Sequence, residues 1–259
     1  MKPVQKFTHL LALVGLFWFG GLLQASEAIR VAAASDLRYA LDDILDVYRE
    51  THPTANIEVV YGSSGKMTTQ IINGAPYDLF FSADISFPER LQQQGLTATE
   101  PAVYAIGRIV LWSNTLNANQ LRLEDLTDAR IRRIAIAQPS HAPYGLRAQE
   151  AMQNAGVWEA VQQKLVFGEN IAQTAQMTQS GAAEVGIIAL SLARFPDMEK
   201  YGYTLIDDAL HNPLTQGYVV TKRGGDNAGA MAFADFMATE VAHGIMVQYG
   251  FLMPDDSAQ

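Results

Sequence analysis

One short segment carries residue types that could perform three different kinds of chemistry. The segment YGSSGKMTTQI, residues 61–71, contains Gly-Ser-Ser-Gly-Lys, which looks like the end of a phosphate-binding P-loop. Ser63 and Lys66 also have the spacing of the serine and lysine in some serine hydrolases. The same serines and glycines, placed between a strand and a helix, could instead bind an anion without covalent chemistry. The surrounding residues favour the third interpretation.

The first two interpretations each lack a required part. A P-loop needs G-x-x-x-x-G-K-[ST], but only two residues separate Gly62 from Gly65, and Met67 stands where the magnesium-binding hydroxyl belongs. The hydrolase interpretation lacks partner motifs, since neither S-D-N nor K-T-G occurs in the chain. We therefore favour anion binding and keep a hydrolase that uses Ser63 and Lys66 as the alternative from a different class.

Gly-Ser-Ser-Gly has the composition of a neutral oxyanion cradle. The first backbone N–H groups of a helix have no intrahelical acceptor and lie at the positive end of the helix dipole. Serine hydroxyls add donors, and glycine lets the backbone approach a ligand closely. On local grounds alone, a serine that simply caps its helix explains the segment at least as well. The anion interpretation therefore needs support from other turns.

Two further strand-to-helix turns supply that support. AAASDL places Ser35 at the end of the first strand, and QPSHAPYGLRAQEA places Tyr144 at the start of a helix in the second half. In open α/β sheets, ligands bind beyond the carboxyl ends of the strands. We expect Ser35 and Ser64 to face one crevice, which the amides around Tyr144 close from a second lobe. A packed surface aromatic is the alternative for Tyr144.

Alternating strand and helix patterns predict the elements that position these turns. A β-α-β-α-β run is followed by a second alternation, which predicts two α/β lobes with helices flanking mostly parallel sheets. A long helical pattern broken at Gly156 lies in the second half, and one closing helix ends the chain. The predicted strands are IRVAAAS, NIEVVYG, YDLFFSAD, the pair in YAIGRIVLWSN, RRIAIAQP, VGIIALSLA, YTLIDD and LTQGYVVTKRGG.

The N-terminus has the pattern of a secretory signal peptide. Lys2 and Lys6 precede an apolar run at residues 10–23, and QASEA places small residues for cleavage after Ala25 or Ala28. The run of about 14 residues is short for a membrane span, which needs about 20. A short membrane anchor is the alternative. We expect residues 1–28 to be a signal peptide and the mature protein to reside in the periplasm.

Composition excludes several other function classes. The chain has no cysteine, so disulfides, thiol catalysis and lipid attachment to a cysteine are excluded. The formal net charge is -9 and the basic residues are scattered, which argues against a nucleic-acid partner. His141 and the other histidines lack the H-x-x-x-H or H-E-x-x-H spacing of metal enzymes. Asp78 and Asp84 could form an acid pair for glycoside chemistry, but a structural role is favoured.

Four segments together resemble one protein family. AAASDLRYAL, YGSSGKMTTQI, GAPYDLFFSAD, and QPSHAPYG with its following helix resemble the periplasmic molybdate-binding proteins of ABC importers. The likeness extends in order over nearly the whole mature chain. It implies a two-lobed type II periplasmic-binding-protein fold, with lobe I formed by residues 29–106 plus 211–259 and lobe II by residues 107–210.

The resemblance also implies a function. The ligand would be a tetrahedral oxyanion, molybdate or tungstate, bound in the cleft between the lobes and delivered to an inner-membrane permease. The protein would be a monomer with no catalytic residues and no cofactor. Molybdenum would be present only inside the oxyanion, without direct bonds to protein atoms. The same fold could instead bind sulfate, phosphate, chromate or ferric iron.

When the anion-binding positions of the family are matched to this sequence by motif, four residues would donate hydrogen bonds to the oxyanion. Ser35 and Ser64 would donate from lobe I through hydroxyl and backbone N–H. The amides of Tyr144 and of Ile171, in GENIAQT, would donate from lobe II. Lys66 and Arg147 are interpreted as solvated charges near the helix starts that steer an anion.

The sequence departs from the family pattern at two positions. Ala189 in VGIIALS stands where some members place a tyrosine, so a hydroxyl donor is missing, and either Tyr144 replaces it or the site makes fewer bonds. Asp36 follows Ser35 where some members have an apolar residue. Because an acidic side chain would repel an anion, we expect Asp36 to point away from the ligand and cap its helix. An Asp36 that lines the pocket would instead favour a protonated ligand such as phosphate.

Overall fold

The computed structural model describes residues 28–254 as two α/β lobes. Residues 1–27 of the predicted signal peptide lie outside the described residues. Each lobe is built on a five-stranded sheet. The order of the first three strands in each sheet is that of a doubly wound fold, in which helices connect parallel neighbours.

Lobe I contains the first three parallel strands and the helices that connect them. Residues at helical spacing on α1 are buried, which places this amphipathic helix against the sheet. The strands are β1 (Ile29–Ala34), β2 (Ile57–Gly62), β3 (Leu79–Ser82), β4 (Ala102–Gly107) and β10 (Leu214–Val220), and the helices are α1 (Arg38–Thr51), α2 (Ser64–Ile72), α3 (Ser86–Gln93), α9 (Ala228–Met237) and α10 (Glu240–Gln248).

Lobe II repeats the arrangement. Its sheet was predicted except for β7 (Leu165–Gly168), a four-residue edge strand that begins where the predicted helical pattern ends and was not predicted as a strand. The strands are β5 (Ile109–Trp112), β6 (Ile134–Ala137), β7 (Leu165–Gly168), β8 (Val185–Ala189) and β9 (Thr204–Leu205), and the helices are α4 (Pro143–Asn154), α5 (Trp158–Val161), α6 (Ile171–Gln179), α7 (Leu190–Ala193) and α8 (Pro196–Glu199).

Both sheets are mixed, with a parallel half and an antiparallel half. The strand order is β2-β1-β3-β10-β4 in lobe I and β7-β6-β8-β5-β9 in lobe II. In lobe I, β1 pairs in parallel with β2 and β3, whereas β10 pairs antiparallel with β3 and β4. In lobe II, β6 pairs in parallel with β7 and β8, whereas β5 pairs antiparallel with β8 and β9. The antiparallel strands are those next to the crossings between lobes, since the chain leaves lobe I after β4 and returns to it in β10.

The single C-terminal helix predicted from the sequence is two helices in the structure. α9 and α10 are separated by a short break and bent by 61° relative to each other. No single helix among the described residues is long and apolar enough to cross a membrane, although this bent pair passes the test of length and composition together. Phe233, Met237 and Met246 of the pair are buried in the lobe I core.

Stability of lobe I is predicted to depend on an aromatic cluster around β3. Phe81 is 0% exposed and packs against Tyr104, Tyr218 and Phe233. Phe81→Ala removes these contacts and leaves a cavity, so we expect a loss of about 3–5 kcal/mol in the free energy of unfolding. Phe167→Ala is the matched control, because Phe167 lies on the edge strand β7 and is 46% exposed.

Urea denaturation of both variants measures the difference. The control should lie within about 0.5 kcal/mol of the parent protein. Equal effects of the two substitutions would contradict the assignment of Phe81 to the core.

Candidate functional site

A small cleft between the lobes collects the turns that the sequence singled out. Its cavity volume is about 10 Å³, and it lies at the carboxyl ends of the parallel strands of both sheets. Ser35 follows β1, Ser64 follows β2, and Tyr144 and Ile171 follow β6 and β7. The structure therefore brings all four predicted donor residues together. The cleft is lined by Ala34, Ser35, Asp36, Gly62, Ser63, Ser64, Ala83, Ala142, Pro143, Tyr144 and Ile171.

Ser64 presents a free hydroxyl proton to this cleft. It is the first residue of α2 and is fully buried. Its Oγ accepts a hydrogen bond from the Ala83 amide at 3.0 Å, a contact that joins the ends of β2 and β3. Within the described chain no group accepts the Ser64 hydroxyl proton, so this proton can be donated to a ligand.

Ser35 lies opposite the N-terminus of α6 and contacts it across the cleft. Its Oγ accepts from the Ala172 amide at 3.2 Å and donates to Asn170 Oδ1 at 3.2 Å. Asn170 is the N-cap of α6, and its side chain also accepts from the Gln173 amide. The Ser35 hydroxyl is thus already partnered in this closed arrangement, and it reaches a ligand only by exchanging its bond to Asn170.

Three residues that line the cleft at helix starts have backbone amides without an acceptor. Ser64 is the first residue of α2, Tyr144 the second residue of α4 and Ile171 the first residue of α6. The helices supply no acceptor for these amides. Among the groups that the structure describes, none accepts a hydrogen bond from them. Unpartnered amides at three helix N-termini make the cleft electropositive without any formal positive charge.

The two lobes touch at the rim of the cleft. The Gly65 amide donates to the His141 carbonyl at 3.0 Å, and Ser63 Oγ lies 3.0 Å from His141 Nδ1. Lys66, predicted to be a solvated flank charge, pairs with Glu169 across the same rim at 3.0 Å. A Cβ at Gly65 would lie 2.8 Å from the His141 carbonyl oxygen, so only glycine permits this approach.

Arg147 differs from its predicted role as a solvated charge. It is buried, and its guanidinium pairs with Glu150 at 2.6 Å and with Asp84 of lobe I at 3.2 Å. These carboxylates neutralise it, so it holds the lobes together rather than steering anions from solution. Asp78, at the other end of β3, is buried and accepts from the Arg30 amide, which gives it the structural role that was favoured.

Asp36 does not point away from the cleft, and it caps no helix. The short helical turn at Ser35–Leu37 has no side-chain cap, so the predicted capping role is wrong. Asp36 lines the cleft instead, and its Oδ2 accepts from Tyr144 Oη at 3.0 Å and from Gln216 Nε2 at 2.7 Å. The expectation failed because both partners are distant in sequence and come from the opposite lobe and from the crossing strand β10.

The comparison with known proteins agrees with this geometry. The family described as bacterial extracellular solute-binding protein matches residues 29–252. The chain belongs to this family. This family match confirms the two-lobed fold that was predicted from the sequence.

Individual relatives cover most of this solute-binding protein. The molybdate-binding protein ModA of Rhodobacter capsulatus is 35% identical over 200 residues, which are 76% of this chain and 77% of the relative. ModA of Azotobacter vinelandii is 32% identical over 231 residues, or 88% of this chain and 90% of the relative. The solved structure of the periplasmic molybdate-binding protein of A. vinelandii has a TM-score of 0.82 at 30% identity, covering 87% of this chain and 99% of that chain.

The hydroxyl of Tyr144 does not replace the missing donor at Ala189. Ala189 is buried at the end of β8. The Tyr144 hydroxyl donates to Asp36 and accepts from Gln216 Nε2 at 2.9 Å, so its proton is used inside the solute-binding protein. Only the Tyr144 amide is left for a ligand.

Several residues of the site were not predicted from sequence. Gln216 and Tyr104 extend the Asp36 network, with Tyr104 Oη donating to Gln216 Oε1 at 2.5 Å. Ser191 of lobe II donates to the Asp36 carbonyl at 2.8 Å. The one sequence signal was Gln216 itself, a polar residue in the middle of the apolar strand LTQGYVV.

The Asp36 carboxyl binds its proton more tightly than an aspartate ordinarily does. Burial raises its pKa to about 6, and the hydrogen bonds from Gln216 and Tyr144, together with the nearby backbone N–H groups of Asp36 and Leu37, oppose this rise only in part. A raised pKa in the folded state means that the folded protein binds this proton more tightly than the unfolded chain does. The neutral carboxyl therefore stabilises the fold at low pH, and this stability is lost as the pH rises.

The pH dependence of stability tests this assignment. Asp36 should contribute stability that is complete below about pH 4 and lost as pH rises through about 6, a change of about 3 kcal/mol. Asp36→Asn keeps an acceptor for Tyr144 and Gln216 but removes the titration. We therefore expect the free energy of unfolding of the variant, minus that of the parent protein, to increase by about 3 kcal/mol from about pH 4 to pH 7.

Urea denaturation of the ligand-free proteins at several pH values gives the two profiles. Parallel profiles would show that Asp36 titrates with an ordinary pKa.

Proposed function

We propose that this protein binds a tetrahedral oxyanion, molybdate or tungstate, in the cleft between its lobes and delivers it to an ABC importer. The observation that carries the proposal is the convergence of three unpartnered helix amides and the Ser64 hydroxyl on one cleft. Asp36 lines the cleft, which by itself would favour a protonated ligand such as phosphate, whereas the relatives named as molybdate-binding proteins support molybdate. The cargo is bound through its oxygen atoms, and no protein atom bonds to the metal.

The physical chemistry of such a site relies on neutral donors. A fully ionised oxyanion requires hydrogen-bond donors, and amides at helix N-termini supply them together with a favourable dipole. Lysine and arginine are not needed, and the nearest ones are already paired with carboxylates. A smaller anion such as sulfate leaves some buried donors unpartnered, at about 1–3 kcal/mol each. Cleft size then sets the selectivity for the larger oxyanions.

The hydrolase alternative has little support from the contacts. Ser63 Oγ contacts His141 and not Lys66, and Lys66 pairs with Glu169 on the other side of the rim. A general base must reach the nucleophile, and Lys66 has a different partner. We therefore propose a binding protein that has no catalytic activity or cofactor and acts in the periplasm as a monomer after signal-peptide removal.

Calorimetry on the ligand-stripped mature protein tests the proposed function. Molybdate, tungstate, sulfate and phosphate are titrated in turn. We expect one-to-one binding of the first two and no heat from the others. Binding of sulfate or phosphate alone would show that the protein is specific for another oxyanion. No binding of any anion would contradict the proposed function.

Loss of a single hydroxyl should weaken this binding. We expect Ser64→Ala and Ser35→Ala each to raise the Kd for molybdate tenfold or more, because each removes a hydroxyl from the donor set. Ser180→Ala is the control, since Ser180 lies at the far end of α6 and its hydroxyl bonds only to Met177. Calorimetry gives the affinities and urea denaturation verifies folding. Unchanged affinity in both cleft variants would remove the proposed donors.

A methyl group added at Gly65 on the rim should weaken anion binding without lowering the stability of the ligand-free protein. Gly65→Ala places a Cβ against the His141 carbonyl and opposes lobe closure. Because alanine favours the helix by about 0.5–1 kcal/mol over glycine, the ligand-free variant should be as stable as the parent protein or more stable. We expect its Kd for molybdate to rise at least tenfold.

Gly244→Ala is the matched control for the rim variant. Gly244 is also helical, in α10, and an added Cβ there meets no atom within 4 Å. This substitution should leave the affinity unchanged. If both substitutions act alike, closure at the Gly65 rim does not contribute to binding.

A further inference from the structure

One buried oxygen of a residue that lines the cleft has no hydrogen-bond partner. Asp36 is almost completely buried, and its Oδ2 accepts from Tyr144 and Gln216. Its other carboxyl oxygen, Oδ1, is buried and has no partner among the described residues. Asp36 lines the anion cleft beside the donor Ser35, so this unpartnered oxygen belongs to a residue of the proposed binding site. A buried polar atom without a partner is costly, so a missing partner is expected there.

The surroundings of Asp36 supply no cation to balance an ionised carboxylate. β10 contributes the neutral amide of Gln216, α4 contributes the Tyr144 hydroxyl, and β4 contributes the Tyr104 hydroxyl through Gln216. α7 contributes the neutral hydroxyl of Ser191, which donates to the Asp36 backbone carbonyl, and the backbone N–H groups of Asp36 and Leu37 lie near the carboxyl and lower its pKa. The one cationic residue on α4, Arg147, pairs with Asp84 and with Glu150 of its own helix instead.

The charge of the ligand decides which partner Oδ1 needs. An ionised Asp36 would place an unscreened negative charge beside an oxyanion in a water-poor cleft, which is repulsive. A protonated Oδ1 would instead be one more hydrogen-bond donor in a site made of donors. Both donors to Oδ2 are retained in that case, so protonation at Oδ1 fits the network as it stands.

We propose that Asp36 takes up one proton when the oxyanion binds and donates a hydrogen bond from Oδ1–H to an anion oxygen. The proposal rests on the proposed function and adds a residue that sets specificity. The proton comes from solvent, no covalent bond of the anion changes, and the proton returns to solvent on release. Asp36 thereby replaces the tyrosine hydroxyl that is absent at Ala189 as a donor, and it makes binding dependent on pH.

The direction of the pH dependence follows from the free protein. Its Asp36 pKa is about 6, and a bound anion raises this pKa further. Below about pH 6 the carboxyl is already protonated, so the affinity should be constant. Above about pH 6, the formation of each complex takes up a proton. The Kd should then rise about tenfold per pH unit until the pH reaches the Asp36 pKa in the complex. Release of the anion is therefore favoured by alkaline conditions.

Calorimetry with the mature protein tests the proposal. Molybdate is titrated at pH near 7.5 in two buffers with different ionisation enthalpies, and the difference in observed heat gives the protons taken up. We expect an uptake near one per anion for the parent protein. Asp36→Asn presents an amide donor in place of Oδ1–H, so its uptake should be near zero and its Kd should be independent of pH from 6 to 8.

The outcomes separate this proposal from the proposed function. Molybdate binding without proton uptake in the parent protein would overturn the role of Asp36 and leave the proposed function intact. A preference for hydrogenphosphate over molybdate, lost in Asp36→Asn, would also overturn it, because the carboxylate would then accept a proton from the ligand. No binding of any oxyanion by either protein would contradict the proposed function itself.

Discussion

The unsatisfied amides at the start of three helices are the constraint on which the rest of the site depends. Each helix follows a parallel strand, so its first N–H groups lie at the carboxyl edge of a sheet and have no acceptor of their own. The two crossings between the lobes place the two carboxyl edges face to face. Buried donors without acceptors are costly, and a ligand with several acceptor oxygens removes that cost in one step. The fold therefore favours an anion before any side chain is considered.

The contacts at the rim of the cleft contribute little to closure of the lobes. The Lys66–Glu169 pair at the rim is partly exposed, and such pairs contribute at most about 1 kcal/mol. The hydrogen bonds of Ser35 to α6 and of Gly65 to His141 are single, and each contributes about 1 kcal/mol net. Buried contacts also join the lobes, namely the Arg147–Asp84 pair and the hydrogen bond from Tyr144 to Asp36, so reopening for release requires these to break as well.

Sequence patterns predicted the parts of the molecule that depend on local rules. Ser35 and Ser64 could be placed on neighbouring strand ends because βαβ connections are regular, and β1 and β2 are indeed paired with Ala34 opposite Gly62. The Asp36 network could not be predicted, because it joins residues separated by more than a hundred positions from three elements. The edge strand β7 was missed since four residues give too short a pattern to distinguish from a helix end.

The most direct test of the account is a crystal structure of the mature protein grown with tungstate, with an anomalous difference map calculated at the tungsten edge. The account predicts one strong peak in the cleft, with its oxygens contacted by the amides of Ser64, Tyr144 and Ile171 and by the Ser64 hydroxyl. Asp36 Oδ1 should lie within hydrogen-bonding distance of one oxygen. No peak in this cleft, or a peak elsewhere on the protein with the cleft empty, would contradict the central claim.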